Sequence, residues 1–174
     1  MISSSTAAEV ARGVCRLLIQ DGYSPILEFT LPNGRRLDVA AIGPGGEMLG
    51  VEIKVALADL RGDAKWPEYL DYCDLFYFAI PPDFPPEHVP AQTGLIIADR
   101  YGGAIVKPAE AQNLHASRRK AVTLSFAKVA AERLSAVMES LAEPSSNWPR
   151  SAKEPPPRCR SSSAKRPTAS RRSW

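Results

Sequence analysis

The feature that most constrains this chain is a series of three short β-type runs joined by very tight turns. Ile26 to Leu31 leads into Pro32-Asn33-Gly34, Arg36 to Ile42 leads into Gly43-Pro44-Gly45-Gly46, and Met48 to Val55 ends the series. Parallel neighbours need a crossover of a dozen or more residues, so connections this short dictate an antiparallel meander. The flanks are helical. Thr6-x-x-Glu9 reads as a capping box opening a helix over about 6–21, with Val10, Val14, Leu17 and Leu18 on one face and Gly22 past its end. Proline suits the first position of a second helix, predicted over Pro67 to Tyr72. Leu75 to Ile80 reads as a buried strand, PPDFPPEHVP as a loop, and Gly94 to Asp99 and Ala104 to Lys107 as further strands. Val122, Phe126, Ala130, Leu134, Val137 and Leu141 mark a long amphipathic helix. The predicted order is α, three β, α, β, β, β, α.

A chain of 174 residues suits one compact domain with an appendage. The boundary falls where the composition changes. Residues 143–174 hold 8 Lys or Arg against 2 acidic residues, 6 of the 16 prolines and 8 serines, so the segment buries too little to order itself and is expected to be a disordered basic tail. Residues 1–142 carry 14 basic against 17 acidic residues, which hides an acidic body behind a formal charge of +3. The tail's Arg158, Arg160, Lys165, Arg166, Arg171 and Arg172 suit either phosphate attraction or simple solubilisation.

Several chemistries are disfavoured. The longest apolar stretch, Leu75 to Ile80, is far short of the ~20 residues a spanning helix needs, and MISSSTAAEVARG has no basic region followed by an apolar one. A cytoplasmic protein without a membrane partner is expected. Cys15, Cys73 and Cys159 form no C-x-x-C pair, and His88 and His115 stand 27 positions apart, which argues against thiolate or imidazole zinc sites and histidine triads. Carboxylates and lysine remain.

Asp38 interrupts the second apolar run (RRLDVAAI), and Glu52 and Lys54 interrupt the third (GVEIKV). Alternation places Glu52 and Lys54 on one face, and hairpin pairing brings Asp38 beside them. Two carboxylates suit Mg²⁺, while a neighbouring lysine can orient or deprotonate a water and stabilise phosphorane charge. The E-x-K element alone decides nothing: with 11 Glu and 7 Lys in the chain, chance yields about 0.4 occurrences. An exposed cross-strand salt-bridge cluster, worth under about 1 kcal/mol, is the competing reading and has about equal weight on the residues alone.

At these residues the chain resembles the PD-(D/E)XK nuclease superfamily, whose Asp, variable gap and (Asp/Glu)-x-Lys match Asp38, Glu52 and Lys54. More narrowly, GRRLDVAAIGPGGEMLGVEIK and DLRGDAKWPEYLDYCDLFYFAIP resemble the MmcB-like DNA repair family, over about residues 8–140. The resemblance implies an α/β fold: a restriction-endonuclease-like three-layer α/β/α core with a central mixed sheet. It also implies Mg²⁺ or Mn²⁺ on Asp38, Glu52 and the Ile53 backbone carbonyl, with Lys54 as the catalytic lysine. An extra acidic residue often joins such sites; Glu9 on the first helix and Glu28 on the first strand are the candidates, each also suited to a capping or surface role. The Gln-x-x-x-Tyr element of some superfamily members is matched best by Lys65-Trp66-Pro67-Glu68-Tyr69, with lysine replacing glutamine. Val55 stands where many relatives carry a small hydroxyl residue.

Expected DNA contacts come from the cations around this motif. Arg36 shares strand parity with Asp38, and Arg61 and Lys65 lie in the charged segment that follows Lys54. Trp66 beside them reads as a packing anchor more than a base-stacking platform. Arg118 and Arg119 fall near the start of the last helix, where cations oppose the macrodipole and an anionic partner would relieve them. The leading expectation is a metal-dependent deoxyribonuclease of DNA repair acting on DNA, with DNA repair proteins as possible partners. A catalytically inactive nuclease-fold DNA-binding accessory and a protein-interaction module are the alternatives.

Overall fold

The computed structural model describes residues 5–61 and 65–142. The basic segment 143–174 lies outside the described residues. Thr6 caps helix α1 (Ala7–Gln20) as a full capping box: its side chain accepts from the Glu9 N–H, and Glu9 accepts from the Thr6 N–H. Then come β1 (Ser24–Thr30), β2 (Arg36–Ile42) and β3 (Met48–Ile53), the predicted meander, with both pairings antiparallel.

A short α2 (Leu57–Arg61) and a single-turn α3 (Pro67–Leu70) carry the chain over one face to β4 (Leu75–Ile80), which pairs parallel with β3. The sequence anticipates the second of these helices, two residues longer, and misses the first. β5 (Gly94–Ala98) lies parallel to β4, and β6 (Gly103–Lys107) returns antiparallel at the edge. The six strands form one mixed sheet in sequence order. Helix α4 (Ala116–Leu141) closes the described chain.

Two cores lie on opposite faces of this sheet. Val10, Val14 and Leu18 of α1 pack on Val39, Leu49, Val51, Tyr77 and Ile96. On the other face Leu60, Tyr69, Val122 and Phe126 from the remaining helices meet Phe29, Leu37, Met48, Phe76 and Phe78. The result is three layers, α/β/α. Helix α1 approaches the β5–β6 turn closely: a Cβ on Gly13 would stand 1.9 Å from the Asp99 carbonyl oxygen, so only glycine fits there. Arg16 fastens the same contact by donating to the carbonyls of Arg100 and Tyr101 at 2.9 and 3.1 Å.

Helix α4 departs from its predicted burial. Its apolar stripe enters the core at Val122 and Phe126, but Leu134, Val137 and Leu141 are 63%, 51% and 71% exposed. Periodicity identified the helix correctly; the sheet is too narrow to cover all 26 residues of it.

Candidate functional site

The motif residues meet at one end of the sheet. The β2–β3 ladder ends at the Val39–Val51 pair, and Asp38 and Glu52 stand one step beyond it. There the Asp38 Oδ2 accepts a hydrogen bond from the Ile53 N–H at 2.7 Å, which fixes the carboxylate against β3. The Lys54 Nζ lies 3.1 Å from Glu52 Oε1. Lys54 is held in turn by its N–H, which donates to the Ala79 carbonyl at 2.9 Å, so the lysine stem leaves the sheet in line with β4.

Burial bears on the salt-bridge reading of this cluster. Glu52 and Lys54 are only 9% and 8% exposed, so they are not a solvated surface salt bridge. A buried ion pair costs desolvation that its own attraction barely offsets, so stability alone is a weak reason for one; functional sites are where such pairs concentrate. Burial also raises the Asp38 carboxyl above its ordinary range, against the Ile53 N–H, Lys54 and Arg36, which lower it, while Glu28 adds to the rise.

Asp38 opens into a cavity of about 500 Å³ between α1 and the sheet, lined also by Arg12, Cys15, Leu27, Glu28 and Ile53. Glu52 and Lys54 do not line it. Of the two candidate extra acids, Glu28 lines this cavity and Glu9 does not: Glu9 completes the capping box of α1 and lies 3.9 Å from Arg100. Arg36 is exposed at the same end of the sheet, 3.9 Å from Glu28. Arg12 on α1, which the sequence reading passed over, brings a cation to the cavity; in sequence it is one more polar position on an amphipathic helix.

The other expected DNA contacts fall elsewhere. Arg118 pairs with Asp71 at 2.6 Å, and Arg119 grips Asp74 through both guanidinium nitrogens and donates to the Gly46 carbonyl at 3.1 Å. Asp74 also accepts from the Met48 N–H at 2.7 Å, at the start of β3. Five strand positions, roughly 16 Å, separate that end from Ile53. The anionic partners anticipated for these two arginines are thus the chain's own carboxylates, and the pair latches α4 to the sheet. Lys65 is exposed just before α3. Trp66 beside it stacks on Phe76 with ring centroids 6.1 Å apart and meets Phe78 edge-on, a packing anchor as expected. The Arg61 side chain lies outside the described residues.

The donor set suits a hard cation. Asp38 and Glu52 supply only carboxylate oxygen, the Glu52 Oε2 is withdrawn from solvent, and Ile53, next to Glu52 in β3, carries a backbone carbonyl. Among the described residues no group of three or more His, Cys, Asp or Glu is arranged to hold a metal, so the remaining ligands would be water, as Mg²⁺ tolerates. Cys73 takes no part: it is a buried packing residue whose thiol is pushed up to about 12 by burial, with the Asp74 charge adding.

An open mixed sheet covered by helices on both faces, with a carboxylate and a Glu-Lys pair at one end of its central antiparallel strands, is an α/β fold consistent with a restriction-endonuclease-like core. The chain belongs to the MmcB-like family, described as DNA repair protein MmcB-like, which matches residues 2–141. Among solved structures it is similar to the SPO1766 protein of unknown function from Silicibacter pomeroyi, at 39% identity and a TM-score of 0.76, over 82% of this chain and 97% of that one. No curated protein matches. Among the described residues no helix is long and apolar enough to cross a membrane.

Proposed function

We propose that this member of a DNA repair family is a metal-dependent DNA nuclease, cytoplasmic and free of membranes, hydrolysing phosphodiester bonds at the Asp38–Glu52–Lys54 end of the sheet. The observation that carries the reading is the buried Glu52–Lys54 pair one step past the last β2–β3 rung, with Asp38 bonded to the Ile53 N–H beside it. Asp38, Glu52 and the Ile53 carbonyl would hold Mg²⁺ or Mn²⁺. Such an ion polarises the phosphoryl oxygen and acidifies a bound water.

The chain's own groups do the rest. Lys54, kept in place by Glu52 Oε1 and shielded from bulk water, supplies positive charge where the phosphorane develops negative charge, and orients the attacking water. The Ile53 N–H keeps the Asp38 carboxylate from rotating away from its neighbour. Arg36 at the sheet end and Arg12 on the cavity wall would receive the DNA backbone, and the charges of Lys65 and of the basic segment 143–174 would add to the attraction. DNA repair proteins are the partners this family membership suggests.

A second reading, a nuclease-fold DNA-binding accessory without turnover, is favoured by one observation: Glu52 and Lys54 are buried and are not among the residues that line the cavity into which Asp38 opens. Incubating the full chain with labelled single-stranded, duplex and branched DNA in Mg²⁺, Mn²⁺ or chelator separates the two. Cutting that depends on metal supports the nuclease. Tight binding with no cutting of any substrate moves the assignment to the accessory.

A further inference from the structure

The two edges of the sheet are finished differently. Along β1, Arg133 of α4 donates to the Leu27 carbonyl and, at 3.0 Å, to the Glu28 carbonyl, so a helix side chain occupies that edge. Strand β6 forms the other edge, where Ile105 and Val106 are both exposed. Beside it lies an open, shallow hollow of about 520 Å³, lined by Pro82, Ile97, Tyr101, Ala104 and Val106, with Asp99 as its one charged residue. Strand register gives its place. Ile53, Ala79 and Ile96 are side-by-side neighbours on the parallel strands β3, β4 and β5. Strands stand about 4.8 Å apart, so the end of β5 lies roughly 10 Å across the sheet from the end of β3, on the same side as Asp38, Glu52 and Lys54. A smaller hollow of about 240 Å³, lined by Val55, Leu57, Pro81, Asp83 and Phe84, sits at the end of β4 between them.

The β5–β6 turn bordering the larger hollow is fastened from several sides. Asp99 Oδ1 accepts from the Tyr101 and Gly102 N–H groups at 2.7 and 3.1 Å, and the Asp99 N–H donates to the Gly102 carbonyl at 2.9 Å. Arg16 and the close approach of Gly13 hold the turn's carbonyls against α1. The aromatic side chain is not spent on this anchoring: Tyr101 is 69% exposed. Arg100 lies over its ring, with the guanidinium carbon 4.7 Å from the ring centre and Nη2 donating to the Tyr101 hydroxyl at 2.6 Å. Glu9 stands 3.9 Å from the same guanidinium. The ring is thus held by its own neighbour and backed by a cation, while the rest of it borders the hollow and solvent. A ring already fixed loses little side-chain freedom when a flat partner lies on it.

We propose that the Tyr101 turn is a base-stacking site for single-stranded DNA: Tyr101 receives one base in the hollow along β6, and the strand runs from there across the sheet end to Asp38, Glu52 and Lys54. The proposal rests on the DNA reading given above and deepens it, assigning an unpaired DNA segment as the substrate class. The hollow suits a base and not a phosphate, since its lining is apolar apart from Asp99, whose Oδ1 is engaged within the turn. Bases inside a duplex already stack on one another, so an unpaired stretch presents its faces to such a ring without the cost of unstacking.

The test measures binding to the full chain in chelator, where no cutting intervenes, with a labelled oligothymidylate of about 12 nucleotides and a duplex of the same length. Tyr101→Ala should weaken oligothymidylate binding about tenfold, the scale of one base–aromatic stack, with the salt slope and the duplex affinity unchanged. Tyr101→Phe should keep most of the affinity, because the ring and not the hydroxyl carries the contact. Thermal unfolding confirms that both variants fold, as a side chain exposed on a turn predicts. Irradiating the native chain with the same oligonucleotide carrying 5-iododeoxyuridine should cross-link Tyr101 itself. Unchanged oligothymidylate affinity in Tyr101→Ala, an equal loss on duplex, a Phe variant as weak as Ala, or cross-links confined to other residues overturns the proposal. Its failure and that of the nuclease reading are separable. Tyr101-dependent binding by a chain that cuts no substrate leaves the stacking site standing without the nuclease; metal-dependent cutting beside normal binding by Tyr101→Ala does the reverse. A native chain that binds neither DNA overturns both.

Discussion

Replacing Asp74 with Ala removes the hub that ties β3, β4 and α4 together at the end of the sheet remote from the motif. Two losses follow. The Met48 N–H, in a residue that is fully buried, loses its acceptor at 2.7 Å, and an unsatisfied buried donor costs about 1–3 kcal/mol. The Arg119 guanidinium loses a two-pronged charged partner, but it is partly exposed and can turn to water, so this adds about 1 kcal/mol. A total of about 2–4 kcal/mol lowers the melting temperature by roughly 10 °C for a domain of this size. Arg119→Met added to Asp74→Ala should cost much less than the two single changes combined, because both cut one interaction. The pH dependence has a definite sign. Burial pushes Asp74 up, but Arg119 and the Met48 and Leu114 N–H groups outweigh it and hold the carboxyl below its ordinary range. Its stabilisation is therefore complete above the unfolded value of about 3.9 and fades as pH falls through the lower folded value. Urea denaturation of both proteins from pH 7 down to 3 should show the gap closing below about pH 4. A loss under about 1 kcal/mol at neutral pH, or a gap that does not narrow in acid, would refute the reasoning.

Other consequences are open to direct measurement. Gly13→Ala forces a methyl onto the Asp99 carbonyl and should cost about 1–3 kcal/mol of stability by thermal unfolding, with an unperturbed Tm as the contrary result. Asp38→Asn should raise the urea midpoint at pH 7, because burial raises this carboxyl and its ionised form therefore opposes folding; the gain should vanish below about pH 4. Arg12→Ala and Arg36→Ala should each weaken DNA binding and lower its salt slope by about 1, whereas Arg118→Ala, already paired with Asp71, should leave the slope unchanged. Removing residues 143–174, with their 8 basic side chains, should weaken DNA affinity and flatten its salt dependence, and an unchanged slope would remove the segment from DNA binding.

Local physics made much of the fold legible. The meander followed from turns too short for anything else, and the α1 cap from Thr6-x-x-Glu9, because each signal lies within a few residues. The five-residue α2 escaped because it is too short to show a helical period amid charged neighbours. The cluster of Asp38, Glu52 and Lys54 was legible through strand register, but the burial of Glu52 and Lys54 was not, because burial depends on what packs over the strand and is a tertiary fact. The same limit misplaced Arg118 and Arg119, whose carboxylates lie 47 and 45 residues earlier in the chain, and concealed Arg133, whose carbonyl partners are more than 100 positions away. The positive φ of Glu28, +48°, has no sequence signal at all, since glutamate is not a residue type that marks such positions.

The most direct measurement is the single-turnover cleavage rate, with Mg²⁺ or Mn²⁺, of Asp38→Asn, Glu52→Gln and Lys54→Met beside the native chain, using Arg119→Met as a variant outside the motif. The three motif variants should lose at least about 100-fold while remaining folded, and Arg119→Met should cut at the native rate below its melting temperature. Native-level cutting by folded Asp38→Asn or Lys54→Met would contradict a nuclease centre at this end of the sheet.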